Sequence, residues 1–125
     1  MSSMFGPNRY AREAVDDTGW IALTLENSWV NFDTVTYTPA RYRRRGGLVY
    51  VQGLIKDGTL TAGTILATLP AGFRPGYRII MPTAQTSAGT NCRLDVDSDT
   101  GRIIGGAGLN ASFTSITLVP FPAEL

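Results

Sequence analysis

The chain contains no histidine. That absence removes the Ser-His-Asp triad, the histidine general base and every histidine-bearing metal site. Its single cysteine, Cys92, rules out an intrachain disulfide and with it a disulfide-stapled fold. Cys92 alternates in phase with Leu94 and Val96, so it reads as a buried core thiol rather than a nucleophile. Charge is scarce, 17% of residues with a net of +1, so the field that marks a nucleic-acid binder is missing. No apolar run approaches the ~20 residues of a membrane-spanning helix, and neither nucleic acid nor membrane is expected as a partner. Residues 1–17 lack the apolar stretch of a signal peptide.

What is present points to β-structure. The 125 residues suit one domain, 43% of them are hydrophobic, and 14 glycines with 7 prolines predict many short strands and turns. The clearest stretch is Leu48–Lys56, where Val49, Val51, Gly53 and Ile55 alternate with Tyr50, Gln52, Leu54 and Lys56. Gly46-Gly47 before it reads as a hairpin turn from Arg41–Arg45, and Asp57-Gly58 ends it with turn chemistry. Further strands are predicted over Trp20–Leu25, Trp29–Phe32, Thr34–Thr38, Thr64–Leu69, Tyr77–Gln85, Asn91–Asp97, Arg102–Ile104 and Ala111–Val119. Pro82 places a bulge or an edge in one of them, and Pro120 and Pro122 are read as stops. The pattern predicts an all-β, antiparallel sandwich or jelly-roll-like domain over 19–125, preceded by an arm over 1–18.

Candidate chemistry is thin. Asp95, Asp97 and Asp99 superficially resemble a calcium loop, but Thr100 stands where an EF-hand needs glycine and Gly106 where it needs a carboxylate. A hairpin turn explains those residues better, with Cys92, Leu94 and Val96 inward and Arg93, Asp95 and Asp97 outward. Asp16-Asp17 offers adjacent carboxylates with no reason for a raised pKa, so glycoside hydrolysis is not expected. Arg41, Arg43 and Arg45 share one face of a strand, with Arg44 and Tyr42 on the other. They read as a charged edge that blocks aggregation, or as partners for Asp16, Asp17, Asp33 or Glu26 of a neighbouring subunit. No enzyme activity and no cofactor or metal is expected.

The ordered set Gly19-Trp20, Trp29, Tyr42-Arg43-Arg44-Arg45-Gly46, Val49–Ile55, Leu69-Pro70-Ala71-Gly72-Phe73-Arg74-Pro75 and Val96…Gly101-Arg102-Ile103 resembles the terminal head domains of bacteriophage tail fibres and minor tail proteins. The resemblance implies a non-enzymatic virion protein, assembled in the host cytoplasm as a β-sandwich homotrimer, that meets the host surface. Its partners would be other virion proteins, of tail or capsid, and a host cell-wall saccharide. The alternatives are a capsid decoration protein and a carbohydrate-binding module. Saccharide contacts are expected in loops, from Asn91, Asp97, Asp99 and Asn110, with Tyr77 or Phe73 as a stacking face. Contacts between subunits or with the virion are expected from Met4, Phe5, Tyr10, Arg41, Arg43 and Arg45.

Overall fold

The computed structural model describes residues 16–124, and of residues 82–85 the backbone alone. The expected contacts Met4, Phe5 and Tyr10 lie outside the described residues. All regular structure within them is β-strand: β1 (Ile21–Ala22), β2 (Val30–Asn31), β3 (Arg41–Arg45), β4 (Leu48–Gln52), β5 (Leu54–Lys56), β6 (Ile65–Thr68), β7 (Ile79–Gln85), β8 (Asn91–Val96), β9 (Arg102–Gly105), β10 (Thr114–Ser115) and β11 (Phe121–Pro122). They form three antiparallel sheets of order β1-β3-β4-β11, β10-β5-β2 and β6-β9-β8-β7. The fold is a single antiparallel β-sandwich.

The β3–β4 hairpin turns on Gly46-Gly47, both in the left-handed region at φ +59° and +80°, as a two-residue reversal with right-handed strand twist requires. Arg45 opposes Leu48 and Arg41 opposes Gln52. Beyond Gln52 the chain passes from one sheet to the next at Gly53 without losing its alternation. Val49, Val51, Gly53 and Ile55 are buried while Tyr50, Gln52, Leu54 and Lys56 face outward. Gly53 is required at the crossing, because a Cβ there would lie 2.9 Å from the Ala40 Cα. Facing this strand, β8 and β9 supply Leu94, Val96 and Ile103, and β6 supplies both Leu66 and Ala67, all in one core with Ile116, Leu118 and Phe121. Successive residues Leu66 and Ala67 both point inward because a bulge interrupts the β6–β9 register there.

Several expected elements take another form. Thr34–Thr38 is not a strand. The Asp33 Oδ1 accepts the backbone N–H groups of Val35, Thr36 and Tyr37, a local bonding pattern that competes with a sheet ladder. Only Thr114–Ser115 of the expected Ala111–Val119 strand is regular, although Ile116 and Leu118 donate to the carbonyls of Gly53 and Val51. Pro122 does not stop the last segment but pairs with Leu48 as part of edge strand β11, where a missing N–H costs nothing. β7 combines both features expected of Pro82, an edge position and a register shift between Met81 and Ala84. Residues 16–18, expected within the arm, run beside the β3–β4 hairpin. Gly46 N–H bonds the Asp16 carbonyl, and Thr18 N–H bonds the Arg44 carbonyl.

Candidate functional site

One concave feature is an open groove of about 280 Å³ on the outer side of the β10-β5-β2 sheet, distinguished by its aromatic lining. Gly53 and Leu54 line it together with Phe32, Tyr37, Phe113, Thr38, Ser115 and Thr117. Three chain segments bring the aromatics together. Phe32 follows β2, Tyr37 hangs on the loop that Asp33 ties down, and Phe113 precedes β10. Phe32 meets Tyr37 edge to face, with ring centres 5.3 Å apart, and Phe113 likewise at 5.9 Å. Such T-shaped contacts satisfy the ring quadrupoles and hold the rings in fixed orientations. The Lys56 amine lies 5.5 Å from the Phe32 ring centre. Apolar ring faces beside hydroxyls and an ammonium suit a ligand with an apolar face and a polar rim, which is the chemistry of a pyranose ring.

Next along the same strand face lies a second cavity of about 270 Å³, lined by Trp20, Arg43, Arg45, Tyr50 and Gln52. The Arg41 guanidinium sits 4.1 Å from the Trp20 ring centre and donates to Gln52 Oε1. Arg43 forms a two-point ion pair with Asp17. The Arg43 pair, with the Gly19 N–H, holds the Asp17 carboxyl below the usual range. On the opposite face Arg44 bonds Asp16 and the Gly72 carbonyl and lies over Phe73, which meets Tyr42 edge to face. The expected division of the arginines between two faces is therefore present. One other expectation is corrected. β3 is an interior strand between β1 and β4, not an edge. Asp16 and Asp17 are engaged by arginines of their own chain.

Asp95, expected to face solvent, is buried at the centre of a third cluster. Its side chain is 5% exposed, whereas those of Arg78 and Arg93, which clamp it, are 51% and 58% exposed. The carboxylate accepts from Arg78 and Arg93 through two nitrogens each. The Arg93 bonds outweigh desolvation and, with those from Arg78, lower its pKa. Asp97 is held low by the Thr100 hydroxyl and N–H, and Asp33 by the N–H groups of Tyr37 and Thr36. Every resolved carboxylate shift is thus downward, which leaves these groups ionised and unsuited to general-acid work at neutral pH.

The loop residues named from sequence fall into two separate groups. Asn91 and Asn110 lie at one end of β8, where the Ser87 hydroxyl donates to Asn110 Oδ1 and a bridge joins Thr86 to Thr114. Asp97 and Asp99 lie at the other end, where Arg74 donates to the Asp99 carbonyl and Asp97 is spent on Thr100. Tyr77, 87% exposed, precedes β7 at that second end, beside Pro75, Pro122 and Ala123. The aromatic groove was not legible as a site because its three rings come from unconnected segments. The one available signal was the outward register of Leu54 and Lys56.

The class that these elements define is a small antiparallel β-sandwich. No protein-family model and no curated protein matches the chain. Among solved structures it is similar to the crystal structure of the receptor binding protein (gp15) of Listeria phage PSA, with a TM-score of 0.64 and 20% sequence identity over 100% of this chain and 82% of that one. At that identity the likeness shows the fold.

Proposed function

We propose that the protein is a non-enzymatic bacteriophage virion component, a head module of a tail fibre or minor tail protein, that meets a saccharide of the host surface through the aromatic groove. The observation that carries this reading is the groove itself. It pairs oriented Phe32, Tyr37 and Phe113 rings with hydroxyls of Thr38, Ser115 and Thr117 beside the β10-β5-β2 sheet. The fold shared with a phage receptor binding protein supports the setting. The volume of about 280 Å³ lies at the small end of ligand pockets, which run to about 300–1,000 Å³, and has room for a sugar ring. One such site is weak, and copies on a common axis gain avidity from effective concentration. A homotrimer fits that need, and Tyr77, Ile80 and Val119 are apolar side chains exposed for such contacts.

Gold-labelled antibody on virions that carry the protein tests the role. Label at the tail tip supports it, and label over the capsid surface replaces it with a decoration role. Glycan-array binding that Tyr37→Ala and Phe113→Ala abolish tests the groove. Undiminished binding by both variants would refute the groove as the contact.

A further inference from the structure

We propose that the outer face of the β3–β4 hairpin is an anion-binding surface for a carboxylate- or phosphate-bearing saccharide, contiguous with the aromatic groove. This rests on the saccharide reading above and adds the charge class of the ligand. Arg41, Arg43 and Arg45 stand in a row at alternate positions of β3. Three guanidiniums less the one carboxylate of Asp17 leave the row at +2, on a chain whose total is +1. Edge protection does not account for the row, because β3 is interior, and Asp16 and Asp17 are taken up by arginines of the same chain.

The row is pre-organised. Stacking on Trp20 and the bonds to Gln52 fix Arg41, and the two-point pair with Asp17 fixes Arg43. Each engaged arginine bonds through Nε and one terminal nitrogen, which leaves the other terminal nitrogen to donate. Arg45 is exposed; its backbone is paired with Leu48 and Asp17, while its guanidinium makes no hydrogen bond or ion pair among the described residues and acts on Asp17 only through its charge. Planar guanidiniums favour carboxylate and phosphate oxygens through paired N–H bonds. Trp20 and Tyr50 add apolar ring surface to the same cavity, which a bare inorganic anion does not use.

Geometry also links the two surfaces. Gln52 lines the cationic cavity and Leu54 the aromatic groove, two residues apart on one strand face. That spacing is about 7 Å. A chain-like ligand that places a sugar ring in the groove therefore reaches the arginines with its neighbouring unit. A nucleic acid is the weaker occupant, since the molecule as a whole is nearly neutral.

Isothermal titration of the full chain with poly(glycerol phosphate), polygalacturonate, neutral dextran and a single-stranded oligonucleotide tests the proposal. The expected result is binding of at least one anionic polymer, weakened tenfold or more by Arg45→Glu and by 0.5 M salt, with Arg45→Lys partly retaining it. Because Arg45 is exposed, thermal melts of both variants should match the parent. The proposal is overturned if neither anionic polymer binds or if Arg45→Glu binds unchanged. It is equally overturned if the oligonucleotide binds as tightly as the polymers and is lost in parallel. Neutral-glycan binding that Tyr37→Ala abolishes would leave the groove reading standing even where the anion surface fails.

Discussion

The clamp on Asp95 carries an asymmetry that mutation should expose. The carboxylate is buried while both its partners are half exposed. Removing the acid frees two arginines that can turn to water, so Asp95→Asn should cost about 1 kcal/mol or less, as for an exposed ion pair. Removing both cations strands the acid. Arg78→Met with Arg93→Met keeps the aliphatic stems that cover Asp95 and deletes the charges, leaving an uncompensated buried carboxylate. That state costs about 3–5 kcal/mol, and the lower figure is expected here because water can approach from the sheet's outer side.

The pH dependence should then reverse. In the parent the folded pKa of Asp95 is lowered, so its stabilisation is present above the unfolded value near 3.8 and is lost as pH falls through the folded value. In the double variant only desolvation acts. The folded pKa rises above the unfolded one, and stability falls as pH rises through that window. Urea unfolding followed by tryptophan fluorescence at pH 4 and pH 7 reads both effects. The gap between parent and double variant should be widest at pH 7 and narrow at pH 4. A gap that does not change with pH, or an Asp95→Asn cost equal to that of the double variant, would refute the reasoning.

Gly58→Ala should destabilise by about 2–3 kcal/mol, as overpacking of a filled site does, because a Cβ there would fall 1.9 Å from Trp29 Cδ2. A thermal melt measures it. Cys92 is buried, and desolvation raises its thiol pKa, so it should resist an aromatic disulfide reagent in the native state and react fully in denaturant. Asp33→Ala should speed amide exchange at Val35, Thr36 and Tyr37 and weaken glycan binding through Tyr37, with little change in the melting temperature. Mass-spectrometric exchange and a repeat of the array measure those two effects.

The fold was legible where one face is buried and one is wet. Leu48–Lys56 and Cys92-Leu94-Val96 alternate because the core accepts every second side chain, and the sandwich follows from them. Thr34–Thr38 misled because β-branched residues fit a strand equally well, while the decisive feature was one Asp33 oxygen collecting three N–H groups. Asp95 misled because alternation gives the direction of a side chain and says nothing of what covers it. Arg78 and Arg93 bury it from the outer side of the sheet. The groove depends on Phe32, Tyr37 and Phe113 meeting across long separations in the chain, which no local pattern encodes. The arginine row was legible as a row, but whether its strand lay at an edge depended on pairing with β1.

The crossing strand has a consequence for how such a module diversifies. Val49, Val51, Gly53 and Ile55 answer to the core, while Tyr50, Gln52, Leu54 and Lys56, interleaved with them, face the two cavities or the aromatic cluster. On the proposed role, one register separates selection for folding from selection for recognition, position by position. Substitutions at the even-numbered positions can reshape the two cavities while leaving the buried odd-numbered positions between the sheets unchanged. A module with the proposed role could thus vary the strand-borne part of its specificity one residue at a time, with no need to lengthen a loop.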